Sequence, residues 1–148
     1  MNNFFTNKRI LITGHTGFKG AWLCQILLLF KAKILGISKD KFDETLFKSL
    51  NIHNRIFKSR KIDLTNYLKS EKEILKFKPQ IVFHLAAQSL VIPSIIEPKK
   101  TLSNNINSSI NIFEILNKTK TLKSFICVTS DKCYEITKNK KSFNETIN

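Results

Sequence analysis

A chain of 148 residues with 42% hydrophobic side chains holds enough apolar material for one folded domain, which at this size buries roughly 68–70% of the surface its unfolded form exposes. The formal net charge of +14 invites a polyanionic partner, but the lysines are spread along the whole chain among Asn and Ile, with no basic block interleaved with aromatics, so no specific nucleic-acid partner is expected. Cys24, Cys127 and Cys133 show no CxxC and no Cys/His pair at zinc-site spacing, which predicts reduced thiols and no metal.

The N-terminal MNNFFTNKR has no charged-then-apolar leader pattern, so a cytoplasmic protein is expected. RILIT, residues 9–13, is a short apolar run ending at a Gly-rich turn and predicts a buried strand. AWLCQILLLF follows; its ten residues between Gly20 and Lys31 are far short of the ~20 a membrane span needs and predict a buried helix. KILGIS predicts a second strand, SKDKFDE a polar loop, and residues 43–50 a weak helix. A third short strand is expected around Ile56–Phe57. TNYLKSEKEILKF reads as a helix with Thr65 as N-cap, Leu68 and Leu75 on one face, and Pro79 as its stop. QIVFHLAA is the fourth strand. After Pro98 a long helix carries Leu102, Ile106, Ile110, Phe113 and Leu116 at spacings of three or four, and SFICVT, residues 124–129, is the fifth strand.

Strands this apolar have no wet face. The alternation therefore predicts an α/β fold: a doubly wound parallel sheet with helices on both sides, of the dinucleotide-binding Rossmann type, occupying residues 1–148 and stopping after about the fifth strand. No repeat, linker or low-complexity segment divides it.

The first turn reads GHTGFKG, placing Gly14, Gly17 and Gly20 between a strand and a helix; three of the chain's four glycines lie there. Glycine permits the tight turn and lets backbone amides approach a pyrophosphate, and the helix N-terminus adds partial positive charge. Thr16, Phe18 and Lys19 share the turn and join the expected cofactor contacts. Asp40, past the second strand, can accept hydrogen bonds from an adenosine ribose, favouring NAD; equally it is a solvated acid between Lys39 and Lys41. Asp63, followed by Leu64, is placed either for the adenine edge or as a helix-capping acid. In HLAAQ, residues 84–88, Leu85, Ala86, Ala87 and Gln88 offer a small-residue backbone against which a cofactor can lie. His84 is expected to be a satisfied strand histidine, not a catalyst.

Together GxxGxxG, HLAAQ and TSDKCY resemble the extended short-chain dehydrogenase/reductase family. GHTGFKG-x-W-L and VTSDKCY resemble its CDP-glucose 4,6-dehydratase branch in particular, since other branches differ where this chain has His15, Lys19 and Trp22. The resemblance runs from about Lys8 to Tyr134. It implies a 4,6-dehydratase acting on CDP-glucose or a related sugar nucleotide: hydride passes from sugar C4 to NAD, water leaves across C5–C6, and the hydride returns to C6. A C5 proton cannot be abstracted until the neighbouring ketone can hold the charge, and hydroxide needs a general acid to leave. On this resemblance Ser130 bonds the C4 hydroxyl, Asp131 protonates the departing C6 oxygen, and Lys132 is a base or an electrostatic stabiliser. Read without the resemblance, the same three residues are a strand-end turn. Homodimers are usual in the family.

Two features depart from the family. Its catalytic Tyr-x-x-x-Lys lies on a helix some 20 or more residues past this strand end, where the lysine lowers the tyrosine pKa from about 10. Tyr134 and Lys138 have the spacing but come too early, and Tyr67 has Glu71 four residues on. After HLAAQ, LVIPSIIEP keeps only Ser94 of the usual polar substrate contacts. The expectation is therefore the NAD-binding part of a dehydratase, inactive alone, with poor solubility or self-association. The alternatives are a non-catalytic NAD-binding module or half of a split enzyme; a nucleic-acid binder has only the charge behind it.

Overall fold

A computed structural model describes residues 3–39 and 46–130. In chain order the elements are β1 (Arg9–Thr13), α1 (Phe18–Leu29), β2 (Lys33–Ser38), α2 (Leu46–Ser49), β3 (Lys58–Lys61), α3 (Tyr67–Phe77), β4 (Ile81–His84), α4 (Val91–Ile96), α5 (Pro98–Asn117) and β5 (Ser124–Cys127). The five strands form one sheet in the order β3-β2-β1-β4-β5, and every neighbouring pair is parallel. This is the expected doubly wound α/β arrangement. The chain order reverses between β1 and β4, so the turns leaving those two strands open a crevice at the carboxyl end of the sheet.

Alternation along β1 sends Ile10 and Ile12 to one side and Leu11 to the other. Ala21, Cys24 and Leu27 of α1, with Phe47 of α2, close the first side over Ile34 and Ile81. Ile74 and Phe77 of α3, with Ile112, Ile115 and Leu116 of α5, close the second over Leu35, Ile37 and Val82. Burial pushes the Cys24 thiol up to about 12, which leaves it a small inert hydrophobe. Among the described residues no group of three or more His, Cys, Asp or Glu could hold a metal ion, and no helix is long and apolar enough to cross a membrane.

Several elements differ from the sequence-based expectation. The third strand is KSRK at 58–61, not Ile56–Phe57. It is the sheet's edge, so it needs no apolar alternation, and Lys58 and Arg60 each reach Glu73 of α3 at 3.0 Å. Asn66, not Thr65, caps α3, its side chain accepting the Lys69 amide proton, while Thr65 donates to Asp63. The buried face of α3 carries Ser70, Ile74 and Phe77, and Leu68 is 75% exposed. On α5 the stripe turns outward: Leu102, Ile106, Ile110 and Phe113 are exposed, and Leu116 alone of the five is buried. β4 stops at His84 and β5 at Cys127, shorter than expected. LVIPSIIEP contains the short helix α4, packed on α5. Of the expected weak helix at 43–50, Leu46–Ser49 is helical; residues 43–45 lie outside the described residues.

Candidate functional site: the glycine turn and its supports

Gly14 ends β1 at φ +70°, a left-handed conformation that favours glycine. Its amide donates to the Ile37 carbonyl of β2 at 2.8 Å, and its own carbonyl accepts the Gly17 amide at 3.1 Å. A Cβ on Gly14 would stand 2.9 Å from the Ala86 nitrogen, and one on Gly20 would strike the Gly14 carbonyl and His15 Cα. Two of the three glycines are therefore demanded by the closeness of backbone to backbone. Gly17 has the other role: it is the extended N-cap of α1, at φ −69° and ψ 167°, and contributes no side-chain cap. The first-turn amides at Phe18, Lys19 and Gly20 thus keep the orphan N–H groups of a helix start, with the helix dipole behind them. Phe18 and Lys19 point their side chains into solvent. This is a cradle for an anion, of the kind a pyrophosphate fills.

Two side chains lock the turn to the sheet. Thr16 is buried and meets Ser38, the last residue of β2, hydroxyl to hydroxyl at 2.8 Å. His15 is 1% exposed; its Nε2 meets Ser59 Oγ of β3 at 2.7 Å, and its ring stands edge-on to Phe47 at 4.9 Å. A Cβ on Gly36 would fall inside that ring, so the fourth glycine exists to seat the histidine. Burial, partly opposed by the Ile37 backbone, lowers the His15 pKa to about 4, and the ring is neutral at pH 7. Neither Thr16 Oγ nor the His15 ring is displayed at the surface; both act as struts. Sequence reading assigned no such part to Ser38, Ser59 or Gly36. A glycine inside an apolar strand was the available signal, since it marks close approach.

The other expected contacts gather at the same end of the sheet. Asp63, past β3, accepts the Thr65 amide at 3.0 Å and hydroxyl at 2.8 Å and pairs with Lys39 at 3.0 Å. Partial burial raises its pKa, and those three donors more than offset the rise, leaving it below the usual carboxylate value. Its carboxylate therefore bridges the ends of β2 and β3. Leu64 is buried in the second core, and Asp40 lies outside the described residues. After β4, Leu85 and Ala86 are half-buried and Ala87 is exposed; the Gln88 amide donates to Asn105 of α5 at 2.8 Å. His84 is the satisfied histidine expected, 2.7 Å from Thr13 Oγ1 and 3.2 Å from Ser109 Oγ.

Beyond β5 the Val128 amide still bonds the His84 carbonyl at 3.0 Å, which carries the chain on towards exposed Ser130 at the carboxyl end of the sheet. Asp131 and Lys132 lie outside the described residues, as do Tyr134 and Lys138. Tyr67 is committed elsewhere: its hydroxyl donates to Glu71 at 2.9 Å and accepts from Lys118 at 2.7 Å, tying α3 to the end of α5.

With this geometry in place, a family profile described as GDP-mannose 4,6 dehydratase matches residues 11–147. The chain belongs to this family of sugar-nucleotide dehydratases and epimerases. It is 37% identical over 134 residues to the CDP-glucose 4,6-dehydratase of Salmonella typhimurium, covering 90% of this chain and 37% of the relative. The UDP-N-acetylglucosamine 4-epimerase of Methanobrevibacter ruminantium, solved with UDP-N-acetylmuramic acid, superposes with a TM-score of 0.80 at 27% identity, covering 97% of this chain and 44% of that one. The UDP-glucose 4-epimerase of Stenotrophomonas maltophila, solved with NAD, shares the fold at a TM-score of 0.79 and 17% identity, over 95% of this chain and 42% of that one. The chain thus spans well under half the length of these relatives.

Proposed function

We propose that this chain supplies the NAD-binding part of a sugar-nucleotide 4,6-dehydratase whose substrate is CDP-glucose. The approach of the Ala86 backbone to Gly14, at a distance no Cβ would allow, carries the cofactor reading. It brings segment 85–88 beside an uncapped helix start, as a dinucleotide lying across the crevice requires. The substrate reading draws on the 37% identity to a CDP-glucose 4,6-dehydratase and on the residues of GHTGFKG and TSDKCY.

NAD, when bound, would accept and return the hydride that opens and closes the reaction. The first-turn amides of α1 would hold its pyrophosphate, with Asp40 or Asp63 towards the adenosine. Ser130 would bond the C4 hydroxyl, Asp131 would give its proton to the departing C6 oxygen, and Lys132 would act at C5. The 148 residues offer two tyrosines; Tyr67 is engaged by Glu71 and Lys118 and Tyr134 belongs to the DKCY motif. On this reading the isolated chain binds NAD without turning over CDP-glucose, and the working enzyme is a homodimer.

The decisive experiment is an NAD titration by calorimetry on the parent and on Gly17→Glu. Gly17 is exposed, with an ordinary φ and one neighbour at 3.3 Å, so the variant should fold while its carboxylate repels the pyrophosphate. Saturable binding by the parent and its loss in Gly17→Glu are expected; equal affinity in both would overturn the reading. Turnover of CDP-glucose by the isolated chain, abolished by Tyr134→Phe, would overturn the assignment of Tyr134.

A further inference from the structure

Segment 85–88 must hold its line against Gly14, yet it follows the last residue of β4 and has no regular structure of its own. Two side chains of α5, one turn apart, hold it. Asn105 takes both backbone groups of Gln88: its Oδ1 accepts the amide proton at 2.8 Å and its Nδ2 donates to the carbonyl at 3.1 Å. A neighbouring strand would offer the same two bonds, and only one orientation of the carboxamide satisfies both.

Ser109 begins a second path whose direction can be worked out bond by bond. Its hydroxyl donates to the Asn105 carbonyl at 2.8 Å, so towards His84 Nε2, at 3.2 Å, it accepts. That puts the imidazole proton on Nε2 and leaves Nδ1 to accept from Thr13 Oγ1 at 2.7 Å. The Thr13 oxygen, its proton spent, then accepts the amides of Leu85 and Ala86, each at 3.2 Å. Each side-chain proton on this path has one acceptor, and the path ends on the two residues nearest Gly14, of which Leu85 shares its amide proton with the Thr13 carbonyl at 3.2 Å. Burial lowers the His84 pKa to about 4, in keeping with a neutral ring.

We propose that Asn105 is a positioning residue of the cofactor site: through Gln88, and with Ser109 on the parallel path, it sets the line of segment 85–88 against the glycine turn, so that α5 governs cofactor affinity. The proposal rests on the reading that this turn binds NAD.

The test combines NAD titration with amide hydrogen exchange at Gln88, followed by NMR in the whole chain, for the parent, Asn105→Ala and Asn107→Ala. Asn107 is exposed on the same helix and bonds Ser103, so it controls for helix propensity. Asn105→Ala should release the Gln88 amide to exchange and weaken NAD about tenfold, the cost of a lost pair of hydrogen bonds at a site that must be held in place; Asn107→Ala should do neither. Should Asn105→Ala not fold, Asn105→Asp keeps the acceptor for the Gln88 amide and loses the donor, and a smaller loss of affinity is expected. A released Gln88 amide with parental NAD affinity would overturn this proposal alone. A parent that binds no NAD would overturn the functional reading, and the proposal with it.

Discussion

Thr13 and His84 are register partners on neighbouring parallel strands, and their side chains meet at 2.7 Å. One hydroxyl there serves an imidazole and two backbone amides at once. Thr13→Val keeps the shape and removes the hydroxyl, leaving the Ala86 amide and the buried His84 Nδ1 without this partner, and is expected to cost ~1–3 kcal/mol and weaken NAD binding. Thr13→Ser should restore most of both. Urea unfolding of the two variants checks this; a Thr13→Val as stable as the parent would refute it.

The three glycines of the turn should tolerate alanine unequally. Gly14→Ala meets both a left-handed φ and the Ala86 nitrogen, and Gly20→Ala meets backbone that cannot move aside. Each is expected to lose more than ~3 kcal/mol or fail to accumulate folded. Gly17→Ala meets a single atom at 3.3 Å and should stay within ~1 kcal/mol. Thermal unfolding of the soluble fractions would rank them, and equal effects would contradict the roles assigned.

Acid should destabilise the fold well before ordinary carboxylates titrate. His15 and His84 are each lowered from 6.5 to about 4 by burial. Above pH 6.5 both are neutral whether folded or not and contribute nothing. Between 6.5 and about 4 the unfolded chain takes up protons the folded one refuses, so stability falls by up to about 3 kcal/mol per histidine. Asp63 and Glu73 work in the same direction lower down: partial burial raises each pKa, but hydrogen bonds and cations hold both below normal. Their stabilisation is therefore lost as pH falls through the carboxylate range. Urea midpoints at pH 7, 5.5 and 4.5 should decline steadily; a flat profile would show that the rings are not buried neutral.

Val91, Ile92, Ile95 and Ile96 of α4 and Leu102, Ile106, Ile110 and Phe113 of α5 present exposed apolar side chains on two helices packed together. Contiguous apolar surface of this kind favours association. The chain should sediment as oligomers at high concentration, and Ile95→Glu with Ile106→Glu should shift it to monomer. A parent that stays monomeric throughout would refute this.

How much of this could be read from residues alone depended on whether a residue's task was local. The strands β1, β2, β4 and β5 and the stop of α3 ahead of Pro79 follow from nearest-neighbour chemistry, and the observed elements bear them out. The edge strand KSRK escaped because its partner, Glu73, lies on another element. Asn66 took the cap expected of Thr65 because Asp63 had already claimed the threonine hydroxyl. On α5 the eye follows Leu102, Ile106, Ile110 and Phe113, which face outward; the residues that shape the site, Asn105 and Ser109, are polar, one turn apart, and gain meaning only when β4 is placed beside them. His15 was visible as a motif letter, but its seat on Gly36 is a contact between the turn after β1 and the middle of β2 that no spacing rule encodes.

The order of the sheet also sets a sequence of events in time. β2 follows β1 through a single helix and can pair early, but β4, the other neighbour of β1, arrives from far along the chain: Thr13 meets His84 across 71 positions. Contacts that distant are slow to form, because the intervening chain must first lose its freedom. The glycine turn can be shaped on one side by Ile37 while its other wall, the Ala86 backbone, is still missing. During refolding, helical signal should therefore return before the ability to bind nucleotide does, and the lag between the two would time the docking of β4.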